Sequence, residues 1–173
     1  MATITDIPEN LIRERMTRAV TEVFRIMTRR APEFSGRMDG KDGLTRLASD
    51  PNCGQIVGSV GFVGELNGLV YLHFDAAFAR LCSCQMLGLS EVELDAAGPE
   101  VINDAIGELT NMTVGAFKNG LCDLGFPCKL TIPSILRGTG IRVQPLSSVV
   151  WHVYRFEYSG HRLYADIQIK SDE

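Results

Sequence analysis

Asp104, Glu108, Asn111 and Gly115 stand at i, i+4, i+7 and i+11. On a helix that turns about 100° per residue, this spacing gathers them within an arc of about 60°. Two acids, a carboxamide and a bare backbone position then share one face. A carboxylate in such a set can pair with a cation on a partner. A carboxamide can hold a water by donating and accepting hydrogen bonds. Neither forms a covalent intermediate here, so the set suits an enzyme that completes another protein's active site. Phosphoryl hydrolysis can work in this way, because one residue that orients the attacking water supplies a large acceleration. The plain alternative is a solvated helix face. Two features weigh against it. Residues 81–117 contain no Lys or Arg, so the carboxylates lack an i+4 partner. Gly107 and Gly115 each cost about 1 kcal/mol of helix propensity relative to Ala, as expected where something must approach closely.

Other motifs with a known mechanism are missing. Gly58, Gly61 and Gly64 form GxxGxxG within a strand-like run, which reads as bulges or close backbone approach rather than a phosphate loop. There is no P-loop and no HExxH, and Ser59 lacks the preceding Gly of a nucleophile elbow. The stretch MDGKDG fails as a calcium loop, because Lys41 and Gly43 fall where oxygen ligands are needed. His73, His152 and His161 all fall in strand-like runs, where a structural or surface role is the ordinary one. No metal site is expected. Five Cys, at 53, 82, 84, 122 and 128, fit neither a zinc ribbon nor a CxxC redox motif and read as free thiols of a reducing cytoplasm.

The elements that must position the face follow from periodicity and punctuation. Residues 99–119 read as a long helix, with Pro99 in its first turn, Glu100 at the positive end of its dipole and Asn119-Gly120 at its end. Its apolar stripe is Ile102, Ala105, Leu109, Met112 and Ala116, opposite the polar set. Residues 8–31 read as a second amphipathic helix, begun by Pro8 and stopped by Pro32. Residues 33–53 read as a loop. Residues 55–63 and 69–74 read as strands of a hairpin, with Asn67-Gly68 as its positive-φ pair. A short helix, 76–87, is capped by Asp75 and closed by Gly88. Residues 89–98 read as a connector, and extended pieces are expected near 128–132 and 140–146. A C-terminal hairpin, 148–158 and 162–170, turns at Ser159-Gly160. The alternation of Leu163, Ala165, Ile167 and Ile169 with polar neighbours predicts one wet face for its last strand. The order predicts an α+β fold: a two-layer sandwich of long helices on a mostly antiparallel sheet, with a weak internal duplication, each half opening on a long helix.

A chain of 173 residues with 45% apolar and 22% charged residues is long enough to bury a core without disulfides or metal, and fits one domain over 1–173. Global disorder is excluded. No run of about 18 apolar residues is present, so no membrane span is expected, and neither a signal peptide nor a lipidation motif is visible. A net charge of −4 argues against nucleic acid as the main partner. The charge is uneven: residues 47–127 carry 2 basic and 10 acidic side chains, and both flanking segments are mildly basic. That acidic middle would attract a basic partner patch.

The stretch Asp104-x3-Glu108-x2-Asn111-x21-Pro133 resembles the signature of the CheC/CheX phosphatases of bacterial chemotaxis. GELTNMTVGAFKNGL followed by LTIPSILRG is similar to a CheX-type core, as is the upstream run GSVGFVGELNGLVYLHFD. The likeness is best over 55–138. The helical segment 7–31 and the hairpin 148–170 match in type, and the first 50 residues are longer than a family core requires. The resemblance implies a cytoplasmic hydrolase that removes the aspartyl phosphate of a CheY-like response regulator. Asn111 would orient the water and Glu108 would pair with the regulator's active-site Lys. Asp104 and Gly115 would shape the docking face, and Pro133 would be structural. The regulator would bring Mg²⁺, leaving this chain with no cofactor or metal of its own. CheC-type members carry the motif twice. Here the first helix offers Arg18-x3-Glu22-x2-Arg25, which lacks the amide, so a single CheX-type site is expected. A homodimer formed through the sheets is also implied. The alternatives are a receiver-binding module without catalysis and a purely structural or dimerising domain.

Overall fold

A computed structural model describes residues 7–39 and 52–171. Seven strands form one antiparallel sheet among these residues, with the long helices on one of its faces. Helix α1, Glu9–Thr28, turns Ile12, Met16, Val20, Val23 and Phe24 inward. It leads to strand β1, Glu33–Met38. A hairpin follows: β2, Gly54–Gly64, and β3, Gly68–Asp75. Helix α2, Ala76–Leu87, is capped as expected, with the Phe78 N–H donating to Asp75 Oδ1 at 2.6 Å and Gly88 left-handed at φ 66°. Helix α3 spans Glu91–Ala97, and the long helix α4 spans Pro99–Asp123. The remaining strands are β4, Cys128–Leu130, β5, Ser134–Thr139, β6, Val149–Tyr158, and β7, His161–Lys170.

The sheet runs β1-β6-β7-β3-β2, and β4 and β5 both pair with β2 along its outer side. Helix α1 precedes β1, β2 and β3, and helix α4 precedes the short β4 and then β5, β6 and β7. The two sets mirror one another about the central β3–β7 pair, with β1 lying on β6 and β5 on β2. That exchange of outer strands matches the expected duplication at the level of topology. The α+β sandwich is as expected.

Several local expectations change. Residues 33–38, read as loop, form the edge strand β1. Phe34 packs edge-on against Tyr154 and Phe156, and the Ser35 hydroxyl accepts from Arg155 Nε at 2.9 Å. The rest of that expected loop, including most of MDGKDG, lies outside the described residues up to residue 51. The expected connector holds α3, whose start is a capping box: the Glu93 N–H donates to the Ser90 hydroxyl at 3.2 Å, and the Ser90 N–H donates to the Glu93 carboxylate at 2.7 Å. Ser90→Ala is expected to cost about 1 kcal/mol, read as a lower denaturation midpoint with unchanged slope. The long helix does not end at Asn119-Gly120 but continues to Asp123; Gly120 instead makes room for the Arg15 stem of α1, since a Cβ there would sit 2.9 Å from Arg15 Cδ.

The hairpin turn also differs. Neither Asn67 nor Gly68 has a positive φ. Asn67 Oδ1 instead accepts from the Gly64 N–H at 3.2 Å, and Gly68 is needed because a Cβ would strike Phe62. The strand expected at 140–146 is displaced to 134–139. Residues 140–148 run across the sheet face opposite the helices, with the Ile141 N–H donating to Gln55 Oε1 at 2.8 Å and Val143 buried. This corrects the wet face predicted for β7: Tyr164, Asp166 and Gln168 are all buried there.

Candidate functional site

The site is set by how α4 sits on the sheet. Ile102, Ala105, Ile106, Leu109, Thr113, Val114 and Phe117 are buried, and each large apolar side chain so removed from water contributes about 1.5–3 kcal/mol. Phe117 meets Phe62 of β2 edge-on at 6.2 Å. Thr110 rests on Gly58 of β2, and its hydroxyl donates to the Ile106 carbonyl at 2.7 Å. The long glycine run of β2 is thus explained by contact. Gly58 admits Thr110, Gly61 admits Thr131, and Gly64 admits the backbone at Pro127 and Cys128.

With that face buried, the opposite arc is fixed. Asp104 and Glu108 are exposed, and Asn111 and Gly115 are half-buried. The structure brings all four onto one face, as their spacing predicts. Among the described residues, the side chains of Asp104, Glu108 and Asn111 have no hydrogen-bond or ion-pair partner. The β4–β5 edge borders this arc. A Cβ on Gly115 would stand 3.6 Å from Leu130, and one on Gly107 would stand 3.8 Å from Ile135. These are ordinary contacts, so the two glycines do not mark a forced close approach. Arg137 of β5 ties the edge to the start of α4, donating to the Pro99 carbonyl and to Asn103 Oδ1, both at 3.1 Å. Pro133 is exposed and lies in the break between β4 and β5, between Leu130, beside Gly115, and Ile135, beside Gly107.

On the corresponding face of α1, the carboxylate is already engaged. Arg18 Nε donates to Glu22 Oε1 at 2.9 Å. Arg15, Arg18 and Glu22 line a cleft of about 190 Å³ with Asn119 and Asp123 of α4. A carboxylate engaged by its own helix contrasts with the free Glu108.

Other chemistry finds no assembly. His73 Nε2 lies 3.4 Å from Asp166 Oδ2, and Trp151 Nε1 donates to Asp166 Oδ1 at 2.7 Å, which makes Asp166 a buried hub of the sheet. Burial holds the His152 pKa below its ordinary value, and His161 stacks on Phe78 at 5.3 Å. None of the five cysteines forms a disulfide. Burial pushes the Cys82 thiol well up and that of Cys128 to about 11, so neither is a thiolate nucleophile at neutral pH. Among the described residues no group of three or more His, Cys, Asp or Glu is placed to hold a metal ion, and no helix is long and apolar enough to cross a membrane. The sequence reading passed over Ile132, which stands beside Pro133 and is 88% exposed. Its signal was an isolated apolar residue before a proline.

An antiparallel sheet with two long helices on one face defines a fold that known proteins share. The family model for the chemotaxis phosphatase CheX matches residues 56–157, and this chain belongs to the CheX family. No curated protein sequence matches it. Among solved structures, it is similar to a chemotaxis protein CheX from Desulfovibrio desulfuricans, with a TM-score of 0.74 and 20% identity, over 92% of this chain and 99% of that one. A CheC-like superfamily protein from Shewanella sp. PV-4 also aligns with a TM-score of 0.74 and 20% identity, over 95% and 100%. A chain of the CheX–CheY–BeF3–Mg²⁺ complex from Borrelia burgdorferi aligns with a TM-score of 0.70 and 18% identity, over 92% and 98%. At these identities the likeness is one of fold.

Proposed function

We propose that this chain hydrolyses the aspartyl phosphate of a CheY-like response regulator. The observation that carries the reading is the pair of free side chains, Glu108 and Asn111, three residues apart on the exposed arc of α4. Family membership and the complex of a structural neighbour with CheY support the choice of partner. In this reading Asn111 enters the regulator's active site. Its carboxamide holds a water in line with the phosphorus–oxygen bond to the aspartate. The water oxygen bonds to phosphorus, the aspartate leaves as a carboxylate, and inorganic phosphate is released. Glu108 pairs with the Lys of the regulator's phosphate site and so fixes the depth at which Asn111 sits. Asp104 adds negative charge to the docking face one turn earlier, Gly115 keeps the far end low, and Pro133 shapes the adjacent edge. The Mg²⁺ that the reaction uses is assigned to the regulator.

The test uses CheY-like receivers phosphorylated with a small phosphodonor and Mg²⁺, with the donor then removed. Adding this protein at substoichiometric concentration is expected to speed phosphate release at least about tenfold, with each molecule turning over many times. A stable complex without faster release would replace the phosphatase by a binding module. No complex with any receiver would overturn the reading.

A further inference from the structure

At 88% exposure, Ile132 is the most exposed large apolar side chain among the described residues. Exposure alone says little, since single apolar residues are ordinary on surfaces. Its setting says more. Leu130 packs at the level of Gly115 and Ile135 at the level of Gly107, so the segment between them lies level with Asn111, midway along that stretch of α4. Ile132 therefore stands at the rim of the acid–amide face.

The segment is also held rigidly. The Thr131 N–H donates to the Gly61 carbonyl at 2.8 Å, and the Gly61 N–H donates to the Thr131 hydroxyl at 2.8 Å. Phe62 pairs with Leu130 and Ser59 with Ser134, so Thr131, Ile132 and Pro133 face only Val60 and Gly61. One extra residue in an edge strand is a bulge, and bulges re-aim side chains. Pro133 fixes its own φ and confines Ile132 to extended backbone. Thr131 lines the apolar cleft on the far face of the sheet, with Leu69, Leu146 and Val149; Ile132 does not. A bare apolar side chain, pre-set by a bulge and a proline, loses little freedom when a partner covers it.

We infer that Ile132 is the apolar anchor by which this site docks a receiver domain, seating on an apolar patch that borders the phosphorylated aspartate. The inference rests on the phosphatase reading and adds to it the residue that sets affinity. Glu108 and Asn111 reach the reacting groups, and Ile132 removes apolar surface from water at the rim, where a charged face by itself would bind weakly and lose affinity in salt.

The experiment compares wild type, Ile132→Asp and Ile132→Leu in steady-state release of phosphate from a phosphorylated receiver. Ile132→Asp is expected to raise KM about tenfold or more and leave kcat within about twofold, and Ile132→Leu to keep the wild-type KM. Matching melting curves establish that both variants fold. An unchanged KM in Ile132→Asp would overturn the inference while leaving the phosphatase reading intact. If wild type releases no phosphate, the phosphatase reading has failed. Titration of each variant against a receiver activated with beryllofluoride and Mg²⁺ then tests docking alone: about tenfold weaker binding of Ile132→Asp supports the anchor, and equal binding or none refutes it.

Discussion

Asn111→Ala is expected to lower the rate of phosphate release from a phosphorylated receiver by about 10²-fold or more, with no loss of stability. The two halves of this expectation have separate causes. Asn111 has no internal hydrogen-bond partner among the described residues, so truncation leaves no orphaned donor or acceptor behind. Alanine is also the better helix former, by up to about 0.7 kcal/mol, so the variant should melt at or slightly above the wild-type temperature. In the proposed mechanism the rate falls because nothing else on this arc holds the water: Glu108 is taken up by the regulator's Lys, Asp104 lies two turns away, and Gly115 has no side chain. Misplacing a reacting group by about 1 Å costs about 10²-fold, and removing the group that places it costs at least as much. Asn111→Asp is a sharper control. It keeps the size, loses both amide donors and adds a negative charge facing the phosphoryl oxygens, so it should be as inactive as alanine. Docking, measured with a beryllofluoride-activated receiver, should survive in the alanine variant. Wild-type turnover in Asn111→Ala would remove the amide from the mechanism and leave Glu108 without a catalytic neighbour.

What the sequence made legible were the parts governed by local rules. The arc of Asp104, Glu108, Asn111 and Gly115 follows from the pitch of one helix, and the pitch does not depend on what the helix packs against. The caps at Asp75 and Gly88 and the turn at Ser159-Gly160, with φ 48° and 79°, are equally local. The misses are non-local. Strand β1 has little alternation of its own, because an edge strand takes its register from β6, more than a hundred residues later. Tyr164, Asp166 and Gln168 look like a wet face until Trp151 and His73 take up Asp166 and the Leu146 N–H reaches Gln168. The surroundings of Asn111 were out of reach for the same reason. Ile132 and Pro133 come to its level only because Ser134 pairs with Ser59, a contact 75 positions apart that no motif encodes. The capping box at Ser90 and Glu93 was local and readable, and a short connector length concealed it.

The seat of α4 gives the second large effect. Gly58→Ala is expected to destabilise the protein by about 3 kcal/mol, at the upper end for an overpacked core position. The new Cβ would stand 2.9 Å from Thr110 Cβ and 3.0 Å from Cγ2, and closer still to the hydroxyl. Thr110 cannot turn away cheaply, because its side chain is fully buried and its hydroxyl is bonded to the Ile106 carbonyl. Helix and strand must therefore part. Thr110 adjoins Asn111, so the same strain that lowers stability should shift the amide, and phosphate release should fall with it even at temperatures where the variant is folded. A double-mutant cycle separates this contact from a general weakness of the sheet. Thr110→Ala removes the obstructing atoms and should cost about 1–2 kcal/mol alone. If the clash is the cause, Gly58→Ala in that background should cost at least about 1 kcal/mol less than in wild type, and turnover should partly recover. Denaturation midpoints at constant slope give the four energies. Strict additivity would mean that the glycine serves the strand itself, and that the position of Asn111 is held by something other than the Gly58–Thr110 contact.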